Sequence, residues 1–220
     1  MRERLGSADI VLFGTPDREI VHAYRAARRS LSAAATVVHF SGALASDVFA
    51  RRAGRLALHP VMTFPGNRGR YPLFPRGCWF TLEGDRTGRA KGRRLVRDMR
   101  GKAIVIRADE KPLFHAACVF ASNFTDVVID AALGICRELG LAPGAAYRVL
   151  EPLVMQTLGN VRMHGTLQAL SGPAERGDFG TIHRHLRSLA ARKPGLVVLY
   201  RALTQRALQM ARAKHRVTRA

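Results

Sequence analysis

The sequence predicts an α/β first half followed by an all-helical second half, and three observations carry that expectation. Short apolar runs of strand length alternate with helical stretches as far as Arg107. The early strands end in turns that bear proline or glycine, as at Thr15-Pro16, Ser41-Gly42 and His59-Pro60. Beyond Pro112 almost nothing is strand-like, and apolar residues recur at helical spacing.

In chain order, Asp9 to Gly14 (DIVLFG) is a strand that runs into Thr15-Pro16-Asp17, where proline stops the ladder and a helix over 17–33 can open. Thr36 to Phe40 (TVVHF) is a second strand, Leu44 to Ala53 a second helix, and Arg55 to His59 (RLALH) a third strand closed by Pro60. This β-α-β-α-β pattern is that of a parallel sheet with crossover helices. After a Gly/Pro/Arg-rich loop from Thr63 to Gly77, a strand over Cys78 to Leu82, a basic helix around Arg86 to Arg100 and a strand over Lys102 to Arg107 continue it. From Pro112 to Leu139, apolar side chains at 116, 119, 120, 124, 127, 128, 131 and 135 form one helical stripe, which Gly140 is placed to end. Further helices are expected over 144–162, with a kink at Pro152, over 178–192 and over 195–213. The boundary falls near Asp109 to Pro112 and divides the chain into 1–109 and 110–220.

With 47% hydrophobic and 24% charged residues in 220, the composition is globular and disorder is not the default. No apolar run approaches the roughly 20 residues of a membrane-spanning helix, and Ile10 to Phe13 is too short for a signal-peptide core, so a cytoplasmic chain without a membrane partner is expected. Cys78, Cys118 and Cys136 are odd in number and lack CxxC spacing, which argues against a disulfide framework or a zinc ribbon. His39, His59, His115 and Cys78 show no ligand spacing, and no metal is expected. The net charge of +20 raises the question of nucleic acid. Only five of the 36 basic residues are lysine (Lys91, Lys102, Lys111, Lys193 and Lys214), a bias towards arginine typical of GC-rich coding. The basic runs carry no interleaved aromatics for base stacking, so nucleic acid is not the expected partner despite the charge.

In open α/β sheets ligands gather at the carboxyl ends of strands. Three successive ends carry Thr15-Pro16-Asp17, His39-Phe40-Ser41-Gly42 and His59-Pro60, more polarity than turns require. Ser41 and Gly42 can offer a hydroxyl and an unobstructed N–H, and His59 can act as donor, acid or base. Each also has a structural use as a turn, a cap or a satisfied core histidine. His115 and Asn123, eight residues apart, fall about 80° apart on one helical face, with Asn123 inside the apolar stripe. A carboxamide there needs partners from a neighbouring backbone or a ligand. In Ser171-Gly-Pro-Ala-Glu-Arg176-Gly-Asp178, Asp178 suits an N-cap, while Arg176 beside a helix start can hold a carboxylate or phosphate.

Five blocks in order, Ala8-Asp9-Ile-Val-Leu-Phe-Gly-Thr-Pro16-Asp17, His39-Phe-Ser41-Gly42-Ala-Leu, His59-Pro60-Val-Met-Thr-Phe64, Phe114-His115-Ala-Ala-Cys-Val-Phe-Ala-Ser-Asn123 and Ser171 to Asp178, span nearly the whole chain. They resemble bacterial Rossmann-like proteins with a helical C-terminal domain of unknown function, relatives of pyrroline-5-carboxylate reductase and 6-phosphogluconate dehydrogenase-like oxidoreductases. The resemblance implies a partial Rossmann-type parallel sheet, its N-terminal strands absent, before an all-α domain of the 6-phosphogluconate dehydrogenase-like type. It implies NAD or NADP as cofactor, with Thr15, Pro16 and Asp17 beside the nicotinamide. Ser41, Gly42 and Arg176 would meet a small-molecule substrate, and His115, His59 and Asn123 would be catalytic, in reversible hydride transfer to a small polar C=O or C=N compound. His115 and Asn123 are expected to converge with Ser41 and His59 in a cleft. Related dehydrogenases often carry a lysine four residues before the helix asparagine, where this chain has Val119, so proton transfer would fall to His115 or His59.

No Gly-x-Gly-x-x-Gly triple for a pyrophosphate is present, and the chain starts at what resembles the fourth strand of the fold. A missing N-terminal segment is therefore expected, with Ile10 to Phe13 left as a sheet edge and little dinucleotide affinity in the 220-residue product. The helical half is expected to build a homodimer, since helices over 144–162 and 195–213 carry more apolar surface than one helix can cover. A cofactor-free relative acting as a dimeric binding protein is the alternative to an oxidoreductase, and a basic nucleic-acid-binding module comes third.

Overall fold

The computed structural model describes residues 5–50, 52–64 and 75–219. Short apolar runs, bounded as the sequence suggests, form β1 (Ile10–Phe13), β2 (Thr36–His39), β3 (Arg55–Pro60), β4 (Trp79–Gly84) and β5 (Lys102–Val105). They make one sheet in the order β1-β2-β3-β4-β5. β1, β2 and β3 are parallel neighbours, with Phe13 opposite His39 and His39 opposite Ala57. All four residues of β2 are buried, as in a strand covered on both faces. The expectation of parallel order throughout fails at one seam, because β4 pairs antiparallel with β3, setting Thr81 opposite His59 and Glu83 opposite Ala57. β4 and β5 are again parallel, joined through α2 (Arg86–Asp98). A parallel pair needs a crossover, whereas an antiparallel one does not, and among the described residues between β3 and β4 no helix supplies one.

The first expected helix is divided into a 3-10 turn at Asp17–Glu19, α1 (Ile20–Ala27) and a second 3-10 turn at Arg28–Ser30. The second, over Leu44 to Ala53, is a correction: among the described residues of that range only a 3-10 turn at Ser46–Phe49 forms. Its first residue is held down by Glu83 of β4, whose carboxylate accepts from Ser46 N at 2.5 Å and Ser46 Oγ at 2.9 Å, and Ala50 leaves the helical region with φ 57°. The sheet separates two apolar clusters. Val38, Leu56, Leu58, Phe80 and Leu82 pack with Val96 of α2. Val11, Phe13 and Val37 pack with Ile20 and Tyr24 of α1 and with Phe49, the three aromatic rings meeting at centroid distances of 5.1 to 6.0 Å.

Asp85 fastens α2 to the sheet. Its Oδ1 caps the helix by accepting from Gly88 N at 2.7 Å, while Oδ2 accepts from Gly54 N at 2.7 Å and Arg55 N at 3.2 Å, just where β3 begins. A Cβ on Gly88 would lie 2.1 Å from the Arg55 carbonyl oxygen, so only glycine lets this arginine-rich helix settle so low on β3.

The chain forms two compact units, Met1–Thr125 and Asp126–Ala220. The single helix expected over 112–139 is two, α3 (Lys111–Ala121) and α4 (Asn123–Glu138). Between them Ser122 is non-helical, with φ −122° and ψ −76°, and its hydroxyl donates back to the Cys118 carbonyl at 2.7 Å. Gly140, at φ +87°, follows the end of α4 as expected. A second correction concerns hydropathy. Ala108–Glu138 contains an 18-residue window of mean hydropathy 1.5, so by length and composition alone this stretch suffices to cross a membrane. Between Lys111 and Arg137 only Asp126 and Asp130 are charged, and alanine keeps the rest apolar without forming one continuous run of large hydrophobic residues.

Four helices build the second unit beyond α4: α5 (Pro143–Ala169), α6 (Pro173–Arg176), α7 (Phe179–Arg192) and α8 (Val197–Arg219). α5 passes through Pro152, and the non-helical residue is instead Gly165, at φ 74° and ψ 165°. Asp178 caps α7, accepting from Thr181 N at 2.9 Å. The fully buried apolar side chains described in this unit are few, Ala146, Ile182, Leu189 and Ala211.

Candidate functional site

Because β1, β2 and β3 run the same way, their carboxyl ends deliver Asp17, Ser41-Gly42 and His59 to one end of the sheet. Ser41 is buried, and its Oγ donates to Asp17 Oδ2 at 2.6 Å while accepting from Ala43 N at 3.2 Å and Leu44 N at 2.9 Å. Its proton and both lone pairs are thus engaged in shaping the turn. His39 supports the same turn from beneath. Its Nδ1 accepts from Ser41 N and its Nε2–H donates to the Ala45 carbonyl, both at 3.2 Å, which requires the neutral Nε2–H tautomer. Burial, aided by the Lys111 charge, pushes its pKa down to about 4 against the backbone hydrogen bond and the carboxylates of Asp17 and Asp47.

Gly42 lies directly beneath His115 of α3: a Cβ there would sit 2.3 Å from Nδ1. Glycine makes the close approach possible. His115 in turn meets His59 edge to face, with ring centroids 5.5 Å apart and planes at 79°. The Nδ1 atoms of both rings are buried and have no hydrogen-bond partner in the protein. Such atoms are uncommon in a folded interior and are what a bound ligand could satisfy. Burial is the main reason the His59 pKa falls to about 4, with Lys111 and His115 adding to it and Asp17 opposing. At neutral pH this is an imidazole, able to accept a proton or donate a hydrogen bond.

Lys111 and Glu83 belong to this group, although nothing in the local pattern singled them out. Lys111, the first residue of α3, is wholly buried, and its Nζ donates to the Ser41 carbonyl at 3.1 Å. Burial lowers its pKa, while the charges of Glu83 and Asp17 raise it. Its sequence signals are slight: it is one of five lysines in an arginine-rich chain, and it precedes the proline that opens a helix. Glu83 is a carboxylate in an otherwise apolar strand, buried and saturated by Ser46.

The other candidates are all exposed. Thr15, Pro16 and Asp17 are exposed, Pro16 starting the turn that carries Asp17. Asn123 is exposed rather than buried in an apolar stripe, and its side-chain amide lies 3.0 Å from Ser122 Oγ. The reason is the break at Ser122: Asn123 opens a new helix, so the angular relation to His115 expected along a continuous one does not hold. Arg176 ends α6 in the second unit, is exposed, and adds its charge to those that keep the Asp178 carboxyl low, after the dominant hydrogen bonds from Thr181. Among the described residues no group of three or more His, Cys, Asp or Glu is placed to hold a metal ion.

The arrangement has counterparts of known structure. Protein TM1727 from Thermotoga maritima is similar over 94% of this chain and 80% of its own, at 26% identity and a TM-score of 0.79. Protein BF3122 from Bacteroides fragilis, described as a candidate NADP oxidoreductase, is similar over 92% of this chain and 76% of its own, at 22% identity and a TM-score of 0.77. Pyrroline carboxylate reductase from Plasmodium falciparum, solved with NADP bound, shares the fold at 12% identity over 96% of this chain and 83% of its own, with a TM-score of 0.60. The sheet followed by helices is thus a dehydrogenase-type, Rossmann-like fold. No curated protein matches the chain. The family described as Domain of unknown function (DUF2520) matches residues 78–207, more than half of the sequence, and the chain belongs to it.

Proposed function

We propose that the chain is an oxidoreductase-like protein that works with NAD or NADP on a small polar alcohol or amine and the corresponding C=O or C=N compound. One observation carries this: at the carboxyl ends of β1–β3, two unpartnered buried imidazole nitrogens, of His59 and His115, stand over a glycine that leaves the backbone bare. The fold shared with BF3122 and with the NADP-bound pyrroline carboxylate reductase supports the choice of cofactor.

The residues present fit the nicotinamide end of such a cofactor and not its pyrophosphate. The turn after β1 has a proline without N–H at position 16 and two carboxylates, Asp17 and Glu19, in its first turn, which would repel phosphate. Thr15, Pro16 and Asp17 would therefore border the nicotinamide, and Ser41-Gly42, His59 and His115 the substrate. When bound, the nicotinamide supplies or accepts the hydride. On oxidation of a substrate its O–H or N–H proton would pass to the free Nδ1 of His59, and on reduction the same proton would return. His115 holds His59 edge on, and the Ser41 hydroxyl keeps the Gly42 turn in shape.

The test is an NMR titration of the 220-residue chain with NADPH at about 0.2 M salt, where general attraction of anions is weak. Adenosine 2′,5′-bisphosphate, which lacks the nicotinamide, is the control. Movement of the His59 and His115 Cε1–H signals with NADPH and not with the control is expected. Unmoved histidines at millimolar NADPH would sink the proposal.

We also propose that the protein acts as a homodimer through its helical unit. On α5 alone Val149, Leu153, Met155 and Met163 are each more than 60% exposed, too much apolar surface for helices whose own core is so thin.

A further inference from the structure

Lys111 is the one cation wholly buried among the described residues. An ammonium has three N–H donors and no acceptor. Here one donor is placed, on the Ser41 carbonyl at 3.1 Å. No carboxylate oxygen of the described residues lies within ion-pair distance of it. Those nearest in effect are already committed elsewhere, Glu83 to Ser46 and Asp17 to Ser41 Oγ. Stability alone does not explain such a residue. Burying a charge with so little compensation is costly, and an apolar side chain of the same length would fill the space without that cost.

What Lys111 does hold is the backbone on which the histidine pair rests. The carbonyl it grips belongs to Ser41, the next residue is Gly42, and the Gly42 Cα lies against His115, which lies against His59. We propose that Lys111 is a positioning residue of this site: its ammonium, hung on the Ser41 carbonyl, fixes Gly42 beneath His115 and so sets the edge-on contact of His115 with His59. The ligand it prepares for is one recognised by neutral imidazole, a carbonyl, imine, alcohol or amine rather than a carboxylate or phosphate. The other groups facing the pair are the Asp17 carboxylate, which favours a proton on His59, and His39 and Glu83, both occupied by hydrogen bonds of their own. The inference concerns the same site as the oxidoreductase proposal, but its readout uses no dinucleotide, so either can fail alone.

The experiment is a titration of the histidine Cε1–H signals in the wild type, Lys111→Met and Lys111→Arg, with His59 assigned by the signal that His59→Gln removes. Lys111→Met should leave the fold intact and raise the proton affinity of His59 at least tenfold. Lys111→Arg, which keeps charge and donors, should stay within about threefold of the wild type. A folded Lys111→Met with an unmoved His59 titration would overturn the proposal, as would an arginine variant that behaves like the methionine one. If Lys111→Met does not fold, the wild type decides through its alkaline titration. The His59 signal should then show a second inflection below the ordinary lysine range, as Lys111 loses its proton, and a flat alkaline limb would overturn the proposal.

Discussion

Gly42 and His115 are in contact so close that a single methyl group on the glycine would stand 2.3 Å from the imidazole Nδ1, although the two residues belong to different elements, a strand-end turn and the first helix after the sheet. Gly42→Ala must therefore push the ring aside, and with it the edge-on contact to His59. The variant should lose roughly 1–3 kcal/mol, the usual cost of an overpacked contact, and shift both histidine Cε1–H signals. Unchanged histidine signals in a folded Gly42→Ala would show that the ring does not rest there.

His39 and His59 hold a proton less tightly when folded than when unfolded, since both fall from 6.5 to about 4. Between those values the unfolded chain binds more protons, so stability falls as pH falls through that window and these two groups add no slope outside it. For the fully buried His39 the shift corresponds to roughly 3 kcal/mol. Urea midpoints at pH 7 and 4.5 should differ accordingly, and His39→Gln should remove its share of the difference.

Asp85 satisfies three backbone N–H groups, of Gly88, Gly54 and Arg55. Asp85→Ala leaves all three without a partner and should cost about 2–3 kcal/mol, more than an ordinary N-cap. Asp85→Asn, which keeps one acceptor oxygen, should cost less. Equal losses in chemical denaturation would mean that only the negative charge matters.

Homodimerisation through the helical unit predicts that Leu153→Glu and Met155→Glu in α5 shift the protein towards monomer in light scattering. A wild type that is already monodisperse monomer at micromolar concentration would count against it.

The surface charge predicts binding to short duplex DNA at low salt that disappears by about 0.2 M, as contacts to phosphate alone should. Retention at that salt, with preference for one sequence, would make nucleic acid a real partner.

The five strands and most helices were legible because each rests on a local signal: β-branched runs for β1 and β2, the apolar run closed by Pro60 for β3, the Gly140 stop, and the Asp178 cap. What failed was set by distant partners. Leu44 to Ala53 has helical composition, yet Glu83 pins Ser46 from another strand and leaves one turn. The break between α3 and α4 falls at Ser122, whose hydroxyl bonds back to its own helix, a local detail that spacing of apolar residues does not register. At the site, strand ends alone were enough to bring Asp17, Ser41, Gly42 and His59 to one place. Lys111 was not legible, since burial of a lysine depends on the turn beyond β2 that covers it.

The seating of α2 on β3 through Gly88 has a consequence in time rather than in energy. With hydrogen as the only side chain at that contact and Asp85 bonded to both elements, α2 cannot lift away without breaking a cap and a strand start together. Opening there should be concerted and rare. The amides of Leu56 and Leu58 should therefore exchange with solvent deuterium last in the molecule, through global unfolding, while those of β1 at the end of the sheet order exchange first among the strands.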